Sequence, residues 1–277
     1  MKKLSNISWP FLLFHLIPVI GLFFIPLNLK WLSIMMGTYV FKHFFLTAGF
    51  HRYFSHKSFR LNRFWQFVFA FLGGTNGQKD ALWWAAGHRY HHKHSDTPQD
   101  IHSPHHQGIR SHGLWVFFKE HTELKTSFIP DLIKYPELVW LHRHPFLPVM
   151  LWASLMYGLW GWGGVLYGCM ISSLINWHAT FTVNSLSHMI GEQDFESHDN
   201  SRNHWLIALI TMGEGWHNNH HAYSKSANNG FYWWQIDLTY YGLKILSWIG
   251  VVSDLQKPPL DTLPRKIKPG VNSYEAK

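Results

Sequence analysis

The stretch WPFLLFHLIPVIGLFFIPLNL, Trp9 to Leu29, decides the fold. It contains no Asp, Glu, Lys or Arg, and it is long enough to cross a hydrocarbon layer, which takes roughly 20 helical residues. A first membrane span is expected here. After Lys30 the chain reads WLSIMMGTYVFKHFFLTAGF, Trp31 to Phe50, apolar except for Lys42 and His43. This second span completes a hairpin over 9–29 and 31–50. A further charge-free pair covers 146–186, from Phe146 to Tyr167 and from Gly168 to about Leu186, hinged at GWGG, Gly161 to Gly164. The segment Phe64 to Gly77 is apolar but short and broken by Gly73, Gly74 and Gly77, which suits an interfacial or re-entrant helix. The expectation is an all-α integral membrane protein with four transmembrane helices in two hairpins, forming one domain over 1–277.

An even number of spans puts the N-terminus, the segment 51–145 and the segment 187–255 on one side. Nearly all Lys and Arg residues lie in these parts, and the outer turns hold only Lys30, so the positive-inside rule makes that side cytoplasmic. The N-terminal MKKLSN agrees, and with no small-residue cleavage site after the first apolar run, that run is expected to stay as an anchor. A multi-pass protein of a bacterial inner membrane is expected, with both termini and the active site cytoplasmic. The tail 256–277, with LQKPPLDTLPRKIKPG around its start, reads as irregular. The net charge of +8 suits an anionic membrane surface rather than nucleic acid, because the apolar blocks are long. One cysteine, Cys169, excludes a disulfide framework and any four-cysteine cluster within the chain. A bound metal must therefore be held by histidine.

Three histidine clusters fall on the cytoplasmic side: HRYFSH with His51 and His56, HRYHH with His88, His91 and His92, and HNNHH with His217, His220 and His221. Residues i, i+3 and i+4 share a helix face, so each of the last two triplets can converge on one point. His51 and His56 are five apart, about 140° around a continuous α-helix, so joint ligation requires the helix to unwind between them. Eight histidines exceed the needs of one tetrahedral zinc, and two metal ions are the simpler account. The lone residues His15, His43, His121, His142 and His144 read as hydrogen-bonding or interfacial groups. His94, His102, His105, His106, His112, His198 and His204 are surface candidates or supports for the clusters. Asp96 and Asp100 are placed to orient ligating imidazoles by accepting the other ring proton, or to form an exposed acidic loop.

The ordered set HRYFSH, HRYHH and HNNHH, with NSLSH (Asn184 to His188) at the end of the last span, resembles the membrane fatty acid desaturases of the stearoyl-thioester (acyl-CoA Δ9) type, in a bacterial-like form. The likeness covers about Gly49 to Ala222. It implies a cytoplasmic helical cap carrying a di-iron site whose nine ligands are His51, His56, His88, His91, His92, His188, His217, His220 and His221, with Asn184 reaching one metal through water. Which histidine serves which iron is left open by the pattern. The chain differs from the animal enzymes in having Ala86 and Gly87 where they carry a charged pair, which bears on headgroup recognition.

Removing hydrogen from an unactivated methylene is beyond any side-chain acid or base and calls for a metal–oxygen oxidant. The resemblance implies an O2-dependent desaturase that introduces a cis double bond into a saturated acyl chain, presented as acyl-CoA or as a lipid. The substrate is thus a fatty acyl thioester or a phospholipid. No flavin or nicotinamide fingerprint is present, so electrons are expected from an external ferredoxin, rubredoxin or b-type cytochrome. The second span runs directly into His51, and Tyr39, with Met35 one turn further, is expected to line the closed end of the acyl tunnel. Lys42 is expected to snorkel or to line a hydrated pocket. The alternatives are a membrane hydroxylase with the same histidine boxes and a metal transporter. A transporter would place its ligands within the spans.

Overall fold

The computed structural model describes residues 8–119 and 123–265. MKKLSN, His121 and the tail beyond Arg265 lie outside the described residues. Every regular element described is helical. Helix α1, Ser8–Phe24, leads to a turn closed by Asn28, whose side chain accepts the Trp31 amide at 3.1 Å and starts α2, Leu29–Phe44. Helix α3, Arg63–Gly74, is capped by Asn62, and α4, Ala81–His94, by Asp80. The other Asp80 oxygen meets His142 Nδ1 at 3.0 Å, which ties α4 to α5, Pro136–Arg143.

Helix α2 does not unwind before the first histidines. It widens into a π-helix, Phe45–Ser55, in which backbone bonds run between residues five apart. The widening corrects the expected break, and its reason is geometric: five residues make about one π turn, so His51 and His56 return to one side. Their ring centroids are 5.0 Å apart.

Helix α6, Leu147–Gly163, a second π segment, Gly164–Ile171, α7, Ser172–Ser185, and a 3-10 turn, Leu186–His188, form one helical run. The run folds back at Gly161, which adopts φ 62° and ψ −152°. Trp152 Nε1 donates to the Gly168 carbonyl at 2.8 Å, although sixteen residues of straight helix would separate them by about 24 Å. The expected GWGG hinge is therefore a reversal. Its tip meets the first turn: Tyr167 stacks on Trp31, and its hydroxyl donates to the Ile25 carbonyl at 2.7 Å.

By length and composition, one described run, Leu147–His188, suffices to cross a membrane, and Trp9–Phe24 is apolar but shorter. Four spans were expected. Helix α1 has 17 residues, and the 16 of α2 include Lys42 and His43, which lower its hydropathy. Lys42 neither snorkels nor lines either cavity described below. It is fully buried, donating to the Cys169 carbonyl at 3.1 Å and to Ser173 Oγ at 2.6 Å, and so fastens α2 to the second hairpin.

One apolar core joins the π-helix to α3, α4 and α5 through Leu46, Phe50, Phe69, Leu82 and Leu138. Gly161→Ala should destabilise the protein by about 1–3 kcal/mol, because its φ/ψ is essentially restricted to glycine. Gly158→Ala, in open space on the same helix, should instead stabilise it by about 0.5–1 kcal/mol. Thermal unfolding in detergent compares the two, and a shift of the same sign in both would contradict this account of the reversal.

Candidate metal centre

The nine candidate ligands assemble into two groups. His51, His56, His88, His92 and His220 form one, and His91, His188, His217 and His221 the other; within each, the nearest ring nitrogens all lie within 4.8 Å of one another. The triplets thus do not each converge on one point, as the spacing suggested. Adjacent residues point about 100° apart on a helix, so His91 and His92 part company on α4, as do His220 and His221 on α8, His217–Ala222.

Local sequence positions each box. The arginine of each His-Arg pair is an anchor. Arg52 is buried between Glu214 and Asp237, with bonds of 2.8 Å to each. Arg89 donates to the Phe54 and Ser55 carbonyls at 2.6 and 2.8 Å, closing the end of the π-helix beside His56, and also binds Asp131. In HNNHH the two asparagines are scaffolding. Asn218 Oδ1 accepts the amides of Asp194 and Phe195 at 2.8 Å, and Asn219 Oδ1 accepts from Asn203 Nδ2 at 2.7 Å.

Four carboxylates fix imidazole orientation. Glu214 faces His51 Nδ1 at 2.5 Å, Asp100 faces His91 Nδ1 at 3.0 Å, Asp96 faces His188 Nδ1 at 2.9 Å, and Asp199 faces His221 Nδ1. Each carboxylate holds the proton on Nδ1 and turns the Nε2 lone pair inward. Asp96 and Asp100 thus take the orienting role rather than the exposed one. Glu214 and Asp199 were missed by sequence reasoning; Glu214 stands three residues before the box in GEGWHNNHH, whereas Asp199, in SHDN, lies beside His198 and outside any box.

The facing nitrogens cannot satisfy one another. In the five-membered group Nε2 atoms follow in a chain, His51 to His220 at 3.0 Å, His220 to His92 at 2.9 Å, His92 to His88 at 3.0 Å and His88 to His56 at 2.8 Å. A neutral ring nitrogen offers either one proton or one lone pair, so at most two of these four contacts are hydrogen bonds. In the other group His188 and His217 Nε2 lie 3.1 Å apart, and His221 Nε2 has no hydrogen-bond partner among the described residues. Burial, reinforced by neighbouring imidazoles, pushes the pKa values of His56, His88, His92, His217 and His220 well below the ordinary 6.5. Neutral, convergent imidazoles of this kind suit zinc, copper, iron or nickel.

Two cavities meet this centre. The larger, about 470 Å³, is walled by aromatic residues including Phe11, Trp83, Trp115 and Trp177. The smaller, about 40 Å³, is lined by His43, Thr47, Thr211 and Glu214 among others. Trp84, His88, Thr180 and Asn184 belong to both linings. Tyr39 and Met35 line neither. Tyr39 is buried one turn below His43, stacked on it at 5.3 Å, with its hydroxyl donating to the Ile210 carbonyl. His102 is buried against His91, His105 Nε2 meets the His188 carbonyl at 3.1 Å, and His112 meets Ser185 Oγ at 3.0 Å.

Two outcomes are expected. Arg52→Met leaves Glu214 and Asp237 buried without their cation and should cost about 3–5 kcal/mol of stability, which unfolding in detergent measures; a loss under about 1 kcal/mol would remove the anchor role. The metal-free protein should also lose stability as pH falls below about 6.5, because the unfolded chain then takes up protons that the depressed folded-state histidines refuse, while above 6.5 stability from this source is fully present. A melting temperature that is flat or rising on acidification would show that these imidazoles are not held neutral.

Comparison with known proteins gives one consistent result. Residues 28–244 match the family model for fatty acid desaturases. The chain is 36% identical over 234 residues to the sn-2 palmitoyl-lipid 9-desaturase of Nostoc sp. (strain 36), covering 81% of this chain and 82% of that protein. It is 36% identical over 256 residues to the acyl-CoA 5-desaturase AL21 of Anemone leveillei, covering 89% and 80%. The sn-1 stearoyl-lipid 9-desaturase of Synechocystis is 33% identical over 256 residues, covering 91% and 80%.

Proposed function

The chain belongs to the fatty acid desaturase family and is an oxidoreductase, and on that premise we propose that it introduces a cis Δ9 double bond into a saturated fatty acyl chain carried as acyl-CoA or acyl lipid. Two irons are the proposed cofactors. His51, His56, His88, His92 and His220 would hold one, and His91, His188, His217 and His221 the other, with Asn184 reaching a metal through water. When bound, the irons supply the dioxygen chemistry that side chains lack, with the balance –CH2–CH2– + O2 + 2 e⁻ + 2 H⁺ → –CH=CH– + 2 H2O. The two electrons come from an external ferredoxin, rubredoxin or b-type cytochrome.

The observation that carries this reading is that His88 belongs at once to a metal group and to the walls of both cavities. An acyl chain lying along the aromatic walls of the larger cavity passes Trp84, His88, Thr180 and Asn184 as it reaches the smaller one. These walls orient the chain and exclude water from the reacting methylenes. The bond position follows from depth, with the methyl end directed toward His43 and, beyond it, Tyr39 and Met35. The membrane arrangement is also proposed: hairpins 9–50 and 146–186 cross the bilayer four times, and 51–145 with 187–255 form the cytoplasmic part in a bacterial inner membrane. Large apolar side chains exposed on the hairpins, among them Phe23, Leu29, Met150 and Trp162, support contact with lipid.

Cells expressing the protein should gain unsaturated fatty acids without added oxygen, detected by gas chromatography with mass spectrometry after derivatisation to locate the bond. His188→Ala should abolish the product, and hydroxylated products would refute desaturation. Gly87, on α4, lines the larger cavity, and a Cβ there would meet nothing within 4 Å. Gly87→Leu should therefore raise thermal stability by up to about 1 kcal/mol through helix propensity while cutting product formation at least about tenfold by filling the cavity, a loss of about 1.4 kcal/mol in transition-state binding. Unimpaired product from this variant would put the acyl path elsewhere.

A further inference from the structure

The carboxylates behind the two histidine groups are unevenly shared. In the four-histidine group three imidazoles have one at Nδ1, from Asp100, Asp96 and Asp199. In the five-histidine group, among the described residues, only His51 does, from Glu214. Counter-charges differ too. Glu214 is bonded by Arg52 Nε at 3.1 Å and Nη2 at 2.8 Å. Among the described residues, no Lys or Arg pairs with Asp96, Asp100 or Asp199; apart from imidazoles, their partners are Ser103 Oγ and the amides of Asp96, His102, Asn200 and Ser201. Asp96 and Asp199 also crowd together around His188, with their ligand atoms within 4.8 Å. Two carboxylates so placed repel unless positive charge is near.

We propose that this asymmetry makes the two metal positions unequal: the four-histidine position favours the ferric ion and is oxidised at the lower potential, while the five-histidine position stays ferrous to a higher one. The inference rests on the two-iron reading given above. A carboxylate on Nδ1–H makes the imidazole a more basic ligand at Nε2. Three of them, uncompensated by Lys or Arg, lower the free energy of a third positive charge on the metal. The extra imidazole of the other group does not reverse this. A neutral ligand stabilises both charge states, whereas an anion discriminates between them by the added unit of charge. Asp96, Asp100 and Asp199 are thus positioning residues that act on the metal through histidine.

The test is an anaerobic potentiometric titration of the iron-loaded full chain in nanodiscs, followed by Mössbauer spectroscopy. In each step one electron passes from Fe(II) to a soluble one-electron mediator. Iron content is measured first, and a wild type holding fewer than two irons per chain overturns the two-iron reading and this inference together. With two bound, two resolved one-electron steps are expected. Asp199→Asn should raise only the lower potential and Glu214→Gln only the upper one. If Asp199→Asn folds poorly, Asp100→Asn, which acts on His91 of the same group, must raise that same lower step. A single unresolved step, or one step moved by both Asp199→Asn and Glu214→Gln, overturns the inequality and leaves the two-iron reading standing.

Discussion

Lone pairs that point at one another repel until a cation lies between them, and the centre of this protein is organised around that constraint. Nine imidazoles are brought nitrogen to nitrogen in a buried volume. Hydrogen bonds relieve it only in part: carboxylates already hold protons on the outer nitrogens of four rings, and at most two of the four Nε2 contacts in the five-histidine group can carry a proton between them. The scaffold therefore works against its own electrostatics in the metal-free state. The buried Arg52 clamp, the Arg89 cap on the π-helix and the two asparagines of HNNHH each hold a histidine-bearing element in place against this repulsion. Preorganisation of this kind costs stability in the protein, a cost that binding of a cation by such a site offsets.

Much of the site was legible in the sequence because metal chemistry constrains residue type and spacing together. All nine histidines named from the boxes and from NSLSH meet in the two groups, and Asp96 and Asp100 were identified by their nearness to HRYHH. What spacing could not supply was the division between groups, which depends on the rotation between neighbouring residues and on partners far away in the chain. The π-helix was hidden for a related reason. A five-residue gap signals only that an α-helix fails, and it does not say whether the chain unwinds or widens. Glu214 and Asp199 were missed because a single acid near a histidine is common, and its function appears only when the fold turns it toward a ring.

The fold was less legible where burial and hydropathy part company. Lys42 reads as an anomaly in an apolar stretch, yet the structure uses its ammonium as an interhelical fastener between Cys169 and Ser173. GWGG announced a bend, and Gly161 delivers a full reversal through a backbone conformation that other residues avoid. Tyr39 shows the opposite limit. Its distance from His51 along the helix suggested the end of a tunnel, but its hydroxyl holds the Ile210 carbonyl and its ring supports His43, which is the residue that meets the cavity.

The distribution of the boxes along the chain also sets an order of assembly. His51 and His220 touch across 169 positions of sequence, and at about 5–20 residues per second of synthesis the first waits on the order of ten seconds for the second. During that interval the early histidines stand at the end of the first pair of helices with an incomplete set of partners. Neither histidine group is complete until the last box leaves the ribosome, since each draws members from HNNHH. A chain that stalls or is truncated before His217 retains its apolar helices but cannot complete either histidine group, so the assembled centre exists only in a chain whose synthesis has passed the last box.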